Sequence, residues 1–234
     1  MQLIEVRNLS NNEAKVNTRY IEDREIRSHR VHTWVRAVRL KSKLSLLELE
    51  DKFSDSKGSN DKHRSCIWDK YNRGDVVPRI GIKPGGELHL ANRVEQCYPE
   101  TLQWLTSPMW RLIDKAPMSM NEIRATYECM PVLLRSIFVE PEYKITGLFW
   151  RRYTEPESCI ETLKKLEPLP AFIALLTLVK EAEITQDQWT HHTALIAAID
   201  MTQSLTFIPE IDLNSADIED YLISRGRAAG YIRG

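Results

Sequence analysis

The stretch Cys66-Ile67-Trp68-Asp69-Lys70-Tyr71-Asn72-Arg73-Gly74 decides how the N-terminal part of the chain folds. Its apolar residues recur at helical spacing, which predicts a helix over about residues 63–72 with an apolar side formed by Ile67, Trp68 and Tyr71. Gly74 stands where that helix should end, because glycine adopts the left-handed conformation of a helix C-terminus at little cost. We therefore expect Trp68 and Tyr71 to be core residues.

A second helix is predicted just before this stretch. Ser45 and Glu48 have the spacing of a capping box, in which each side chain satisfies a free backbone donor at the start of a helix. Leu46, Leu49 and Phe53 then lie on one side. Residues 54–61 contain no apolar side chain and read as a turn.

The most asymmetric charge in the chain lies further upstream. Six basic residues and no acidic ones occur between Ile26 and Lys43. A stripe of apolar residues at helical spacing predicts a helix here, formed by Val31, Trp34, Val35 and Val38. The helical repeat places the polar residues on the opposite face, among them His29, His32, Arg36 and Arg39.

Downstream, the chain reads as one helix after another. Ser119 and Glu122 form a second capping-box pair, and residues 171–182 are predicted to form a buried apolar helix. Residues 186–205 predict a long helix with an inward side formed by Trp189, Leu195, Ile196 and Ile199. The expected fold is therefore all-α, with an N-terminal domain over residues 1–140 and a C-terminal helical domain over residues 141–234.

Composition narrows the class of protein. The 234 residues carry a formal net charge of -1, and 42% are hydrophobic, so a wholly basic nucleic-acid binder is excluded and a globular core is expected. No apolar run approaches the roughly 18 residues of a membrane span, and the N-terminus lacks the pattern of a signal peptide. We expect a cytoplasmic protein with no membrane contact. Its four thiols are expected to be reduced and mostly buried: Cys66, Cys97, Cys129 and Cys159.

No catalytic, metal or cofactor site is predicted, and we expect a protein that is not an enzyme. His191 and His192 are adjacent on a predicted helix and point about 100° apart, so they cannot share a metal ion from one face. The glycines of residues 81–86 lack the lysine-serine or lysine-threonine end of a phosphate-binding loop and predict a turn. No serine or cysteine has the surroundings of an activated nucleophile.

The run from Leu44 to Pro99 resembles a repressor-type helix-turn-helix domain of the lambda and Cro kind. The matching pieces are the leucine-rich helix of residues 46–50, the stretch of residues 66–74, Pro78, and residues 90–94. The resemblance implies that the basic helix before Lys43 takes the place of the first helix of the domain. Where the pattern has a small residue at the crossing of the two helices, this sequence has Leu49 and Glu50.

The resemblance implies a non-enzymatic DNA-binding accessory or regulatory protein, bacterial or carried by a mobile element. Base contacts would come from the residues before Trp68, namely Lys62, His63, Arg64 and Ser65. Phosphate contacts would come from the basic helix and the residues that follow it, namely Arg36, Arg39, Lys41 and Lys43. Double-stranded DNA is then the expected partner, and the C-terminal half would form a homodimer or bind another protein.

Two alternatives stay open. The same residues are compatible with a plain helical segment whose aromatic side chains belong to the core. The chain could then be a helical protein-binding subunit of a larger complex, for example a phage-defence assembly, with no direct contact to DNA.

Overall fold

The computed structural model describes residues 22–53, 66–138, 156–228 and 230. Over these residues the chain is helical, and its one β-contact is an antiparallel bridge between Ile82 and Leu88. The predicted all-α class is confirmed. In chain order the helices are α1 Arg24–Ser42, α2 Leu46–Phe53, α3 Ile67–Asn72, α4 Leu90–Cys97, α5 Gln103–Thr106, α6 Met109–Ile113, α7 Met120–Cys129, α8 Val132–Phe138, α9 Pro156–Leu163, α10 Pro168–Thr185, α11 Gln188–Leu205 and α12 Asp212–Ala228.

Both predicted capping boxes are confirmed. The Ser45 N–H donates to the Glu48 carboxylate at 2.7 Å, and the Glu48 N–H donates to the Ser45 hydroxyl at 3.3 Å. Ser119 and Glu122 make the same pair of hydrogen bonds at 2.7 and 3.3 Å. Each pair satisfies two backbone donors that a helix start leaves without a partner, and so fixes where α2 and α7 begin.

Helix α1 is more deeply buried than the sequence pattern predicts. Its apolar stripe is buried as expected, but His29 and Thr33 on other sides of the helix are buried too. The reason is that α3 packs on one part of α1 while α5 and α6 pack on others. In addition, the Asn214 side chain of α12 lies against His29 and Thr33. Of the residues predicted on the opposite face, His29 is buried, His32 and Arg36 are partly buried, and Arg39 is exposed.

Helix α10 is the central helix of the C-terminal half. Its run of residues 171–182 is buried almost throughout, as predicted, and it contacts α6, α7, α8, α9 and α11. Core residues on both sides of residue 140 belong to one hydrophobic cluster. The predicted domain boundary itself lies outside the described residues and stays a prediction. Within the described ranges, no helix is both long and apolar enough to cross a membrane.

Helix α11 exposes two large apolar side chains that were predicted to face inward. Leu195 is fully buried as expected, but Trp189 is 47% exposed and Ile196 is 40% exposed. Helices α9, α10 and α12 all contact α11, but the side of α11 that carries Trp189 and Ile196 remains exposed. Helical periodicity alone could not tell this side from the buried ones, because apolar residues occur on both.

The cysteines also differ from the expectation. All four are free thiols, as predicted, but Cys159 alone is buried, whereas Cys66 is half-buried and both Cys97 and Cys129 are exposed. The two exposed thiols are the last residues of α4 and α7, where the chain leaves each helix at the surface.

Candidate nucleic-acid interface

An aromatic cluster holds α1, α2 and α3 together. The Trp34 and Trp68 rings stack with centroids 5.3 Å apart, and Tyr71 meets both edge-on at 5.7 and 6.0 Å. Phe53, the last residue of α2, lies 6.1 Å from Trp68. Trp68 and Tyr71 are therefore core residues, as predicted. Offset stacks and edge-on pairs are the geometries that aromatic rings prefer, so this cluster fixes how α3 lies on α1 and α2.

Glu50 explains how the chain accommodates a carboxylate where the repressor pattern has a small residue. Its side chain is buried and accepts a hydrogen bond from the Trp68 N–H at 3.1 Å. A helix start leaves its first backbone donors unpaired, and an anion there is favourable. The Glu50 carboxylate thus caps α3 from α2 and joins the two helices directly. The pKa of the Tyr71 phenol is raised, mainly because the side chain is buried and to a smaller extent because of the Glu50 charge.

Gly74 ends α3 in the predicted way. Its φ is 69°, and the Asp75 N–H reaches back to the Lys70 carbonyl at 3.0 Å, which is the hydrogen bond of a Schellman helix end. The glycine also lies directly against α1. A β-carbon at this position would be 2.2 Å from Ser28 Oγ and 2.7 Å from Ser28 Cα. Only glycine therefore fits both the backbone conformation and the space.

We expect Gly74→Ala to lower the free energy of unfolding by about 3 kcal/mol or more, combining left-handed strain with overpacking. Urea denaturation followed by circular dichroism measures it. Gly86→Ala is the matched control: its φ is 90°, but nothing lies within 4 Å of its added β-carbon, so only the strain of about 1 to 2 kcal/mol remains. Equal losses in the two variants would contradict the close packing of α3 on α1.

The predicted phosphate-binding residues divide into two pairs. The Arg36 guanidinium donates to the Pro209 carbonyl between α11 and α12. Lys41 donates to the Pro99 carbonyl at 2.6 Å and pairs with Glu100 at 2.5 Å. Both cations therefore serve contacts within the chain. Arg39, in the last turn of α1, and Lys43, its C-terminal cap, are exposed, and within the described residues neither forms an ion pair.

The four residues predicted to read bases, Lys62, His63, Arg64 and Ser65, lie outside the described residues. Two further cations, which the sequence analysis did not include, lie on α3 and just after it. Lys70 is exposed on α3, and Arg73, just after it, pairs with Asp75 at 2.8 Å. A signal was available for Lys70, because it is two residues from the buried Trp68 and so points to the opposite side of the helix.

Residues 81–88 form a short hairpin between α3 and α4. The Lys83 N–H donates to the Glu87 carbonyl at 2.6 Å, and the His89 N–H donates to the Gly81 carbonyl at 2.9 Å. The predicted turn is confirmed. Lys83 also pairs with Glu87 at 3.3 Å, so the acidic partner offsets the cation of this hairpin.

A buried charged cluster lies in the other half of the molecule, where the C-terminal end of α6 meets α10 and α12. Lys180 donates to the carbonyls of Asp114 and Ala116 at 2.6 and 3.1 Å. Arg225 donates to the carbonyls of Leu112 and Ile113, both at 3.2 Å. The last carbonyls of a helix have no partner within it, and cations are favourable there. The two basic residues thus cap α6 from two other helices.

Glu183 joins the two cations. It pairs with Lys180 at 3.4 Å, accepts a hydrogen bond from Arg225, and lies 3.5 Å from His191 Nε2. The pKa of Lys180 is lowered to about 7, mainly because the side chain is buried and next because of the Arg225 charge. The pKa of His191 is also lowered, mainly because the side chain is buried and next because of the Lys180 charge. Lys180 and Arg225 are both buried, so we assign the cluster a structural role in joining α6, α10, α11 and α12.

The adjacent histidines do not form a second candidate site among the residues that the structure describes. His191 is buried and His192 is exposed, so the two imidazoles point apart as predicted. No group of three histidine, cysteine, aspartate or glutamate side chains in these residues is arranged to hold a metal ion.

Comparison with family models, with curated proteins and with solved structures gives no match to this chain. A functional assignment therefore depends on the chain's own residues.

Proposed function

We propose that the chain is a non-enzymatic DNA-binding accessory or regulatory protein of bacterial or mobile-element type. The observation that carries the proposal is the way α3 is held: its aromatic side packs on α1 and α2, and Glu50 caps its start. A recognition helix needs such an anchored apolar side so that its other residues stay in a fixed position against DNA. The burial of Trp68 and Tyr71 and the helix stop at Gly74 support the proposal.

The electrostatic part of the proposal depends on Arg39 and Lys43. Both are exposed at the C-terminal end of α1, and neither is neutralised by an acidic partner in the described residues. Phosphate contacts supply most of the affinity of non-specific DNA binding, and each one makes binding more sensitive to salt. Base contacts are assigned to Lys62, His63, Arg64 and Ser65, which directly precede α3 in the sequence.

The test is a mobility-shift titration of the full chain with duplex DNA at low salt, about 50 mM. We expect binding that R39E/K43E weakens about tenfold or more, with the slope of log affinity against log salt reduced by about 2. K62A/R64A should also weaken binding. The control K164E/K165E makes the same change of charge after α9 and should bind like the wild type. Absence of any shift by the folded protein would overturn the DNA-binding proposal.

A second candidate is a helical subunit that binds protein only. The observation that favours it is an exposed apolar pair at the start of α8, where Val132 is 70% exposed and Leu133 is 65% exposed. Neighbouring exposed apolar side chains often mark a protein contact. If DNA binding fails, a pull-down that returns a stoichiometric protein partner encoded beside this chain would support this candidate. The V132S/L133S variant should no longer retain that partner.

A further inference from the structure

The exposed side of α11 carries apolar and polar residues that are evenly spaced along the helix. Trp189 and Ile196 are seven residues apart and therefore lie on the same side of the helix. His192 and Asp200 are exposed on that side as well, four residues before and four residues after Ile196. Neither of these two residues forms an ion pair in the part of the chain that the structure describes. Ile196 thus lies midway between a hydrogen-bond donor, His192, and an acceptor, Asp200, on one face of the helix.

We propose that this face pairs with the same face of a second copy, with the two α11 helices antiparallel across a two-fold axis beside Ile196. A two-fold axis brings residue i against residue j and residue j against residue i, so a self-complementary face is required. In this arrangement His192 of each copy meets Asp200 of the other. The histidine can donate a hydrogen bond to the carboxylate, and two such pairs flank the central contact between the Ile196 side chains.

The alternative orientation is disfavoured by the same residues. Parallel helices would bring His192 against His192 and Asp200 against Asp200, and two facing carboxylates repel each other. The antiparallel orientation also brings Trp189 beside the far end of the other helix. Phe207, just beyond that end, is 86% exposed. In the dimer, Trp189 of one copy therefore approaches Phe207 of the other.

The size of the face sets the expected strength. Helix α11 has 18 residues and is about 27 Å long. One helix face on each copy buries less surface than a standard interface, so we expect a dimer with a dissociation constant in about the micromolar range. This inference does not depend on DNA binding, because α11 lies in the other half of the chain from α3.

Sedimentation velocity of the full chain, over concentrations from about 1 to 200 μM that span this range, tests the pairing. We expect the wild type to shift from monomer to dimer, and Ile196→Lys to remain monomeric because it places two cations on the axis. Ile82→Lys is the matched control: Ile82 is 66% exposed on the hairpin of residues 81–88, and its variant should dimerise like the wild type. A wild type that is monomeric throughout would overturn the proposal, as would a dimer unaffected by Ile196→Lys.

A charge exchange tests the orientation. Asp200→Lys and His192→Glu should each weaken the dimer about tenfold or more, because each leaves one side without its complement. The double variant H192E/D200K gives the two facing positions opposite charges and should dimerise within a few-fold of the wild type. Circular dichroism confirms that each variant is folded. A double variant no better than the single ones would overturn the antiparallel pairing, even if the dimer exists.

Discussion

Replacing Arg225 by alanine is expected to lower the free energy of unfolding by about 3 to 5 kcal/mol. The guanidinium is buried and holds two carbonyls at the end of α6 while it also binds Glu183. Its removal leaves the two buried carbonyls without a donor, takes one of several partners from Glu183, and leaves a cavity besides. Because Arg225 joins α12 to both α6 and α10, we expect the loss to affect the whole C-terminal half. Urea denaturation followed by circular dichroism measures the change.

Arg227→Ala is the matched control for this experiment. Arg227 lies two residues further along α12 and is exposed, so its replacement should change the free energy of unfolding by no more than about 0.5 kcal/mol. Arg225→Lys should fall between the two, since an ammonium group can reach a carbonyl but cannot reproduce the fork of donors. A loss below about 1 kcal/mol for Arg225→Ala would mean that water replaces the guanidinium at the end of α6.

Local signals account for the parts of the fold that the sequence predicted. The two capping boxes, the buried side of α3 and the stop at Gly74 each depend on residues within one or two helical turns. The hydrogen bonds concerned form between the same few residues in any tertiary surrounding, so a pattern in the sequence is sufficient to predict them. The all-α class follows from the same signals repeated along the chain.

Long-range partners account for what the sequence could not predict. Lys180 is a charged residue within the run predicted to be buried, and the carbonyls that accept its hydrogen bonds are 64 and 66 residues away. Glu181 next to it is buried because the Tyr127 hydroxyl donates to it at 2.9 Å. Nothing within a few residues of Lys180 or Glu181 signals these contacts.

The candidate DNA-binding surface likewise depends on both local sequence signals and long-range contacts. The helical repeat places Arg36 and Arg39 on the same polar face. In the structure, Arg36 donates a hydrogen bond to the Pro209 carbonyl, which is distant in the sequence, while Arg39 is exposed. Glu50 is the reverse case, because it looks unfavourable at a helix crossing until its hydrogen bond to Trp68 is seen. The sequence therefore indicated which residues could contribute to such a surface, and tertiary contacts decided which cations remain exposed.

We expect the protein to become more stable as the pH rises from about 7.5 to 9.5, and Lys180 to be the main cause. Its pKa is lowered to about 7 in the folded protein by burial and by the Arg225 charge, whereas the ordinary value is 10.5. Between these two values the unfolded chain binds a proton that the folded protein has released. Stability then rises with pH, by up to about 1.4 kcal/mol per pH unit. The cost of burying the charged ammonium is fully present below pH 7 and is relieved across this window.

Comparison with Lys180→Met isolates this contribution, because methionine keeps an unbranched apolar side chain and cannot titrate. Two neighbours contribute little within the window: the lowered pKa of His191 acts below 6.5, and Arg225, whose pKa is lowered to about 10, titrates only at its upper edge. Urea denaturation at several pH values should therefore give a smaller slope of stability against pH for Lys180→Met than for the wild type. The exposed Lys165→Met should retain the wild-type slope. If Lys180→Met retains it as well, Lys180 keeps its proton throughout the window, and the end of α6 is capped by a permanent buried cation.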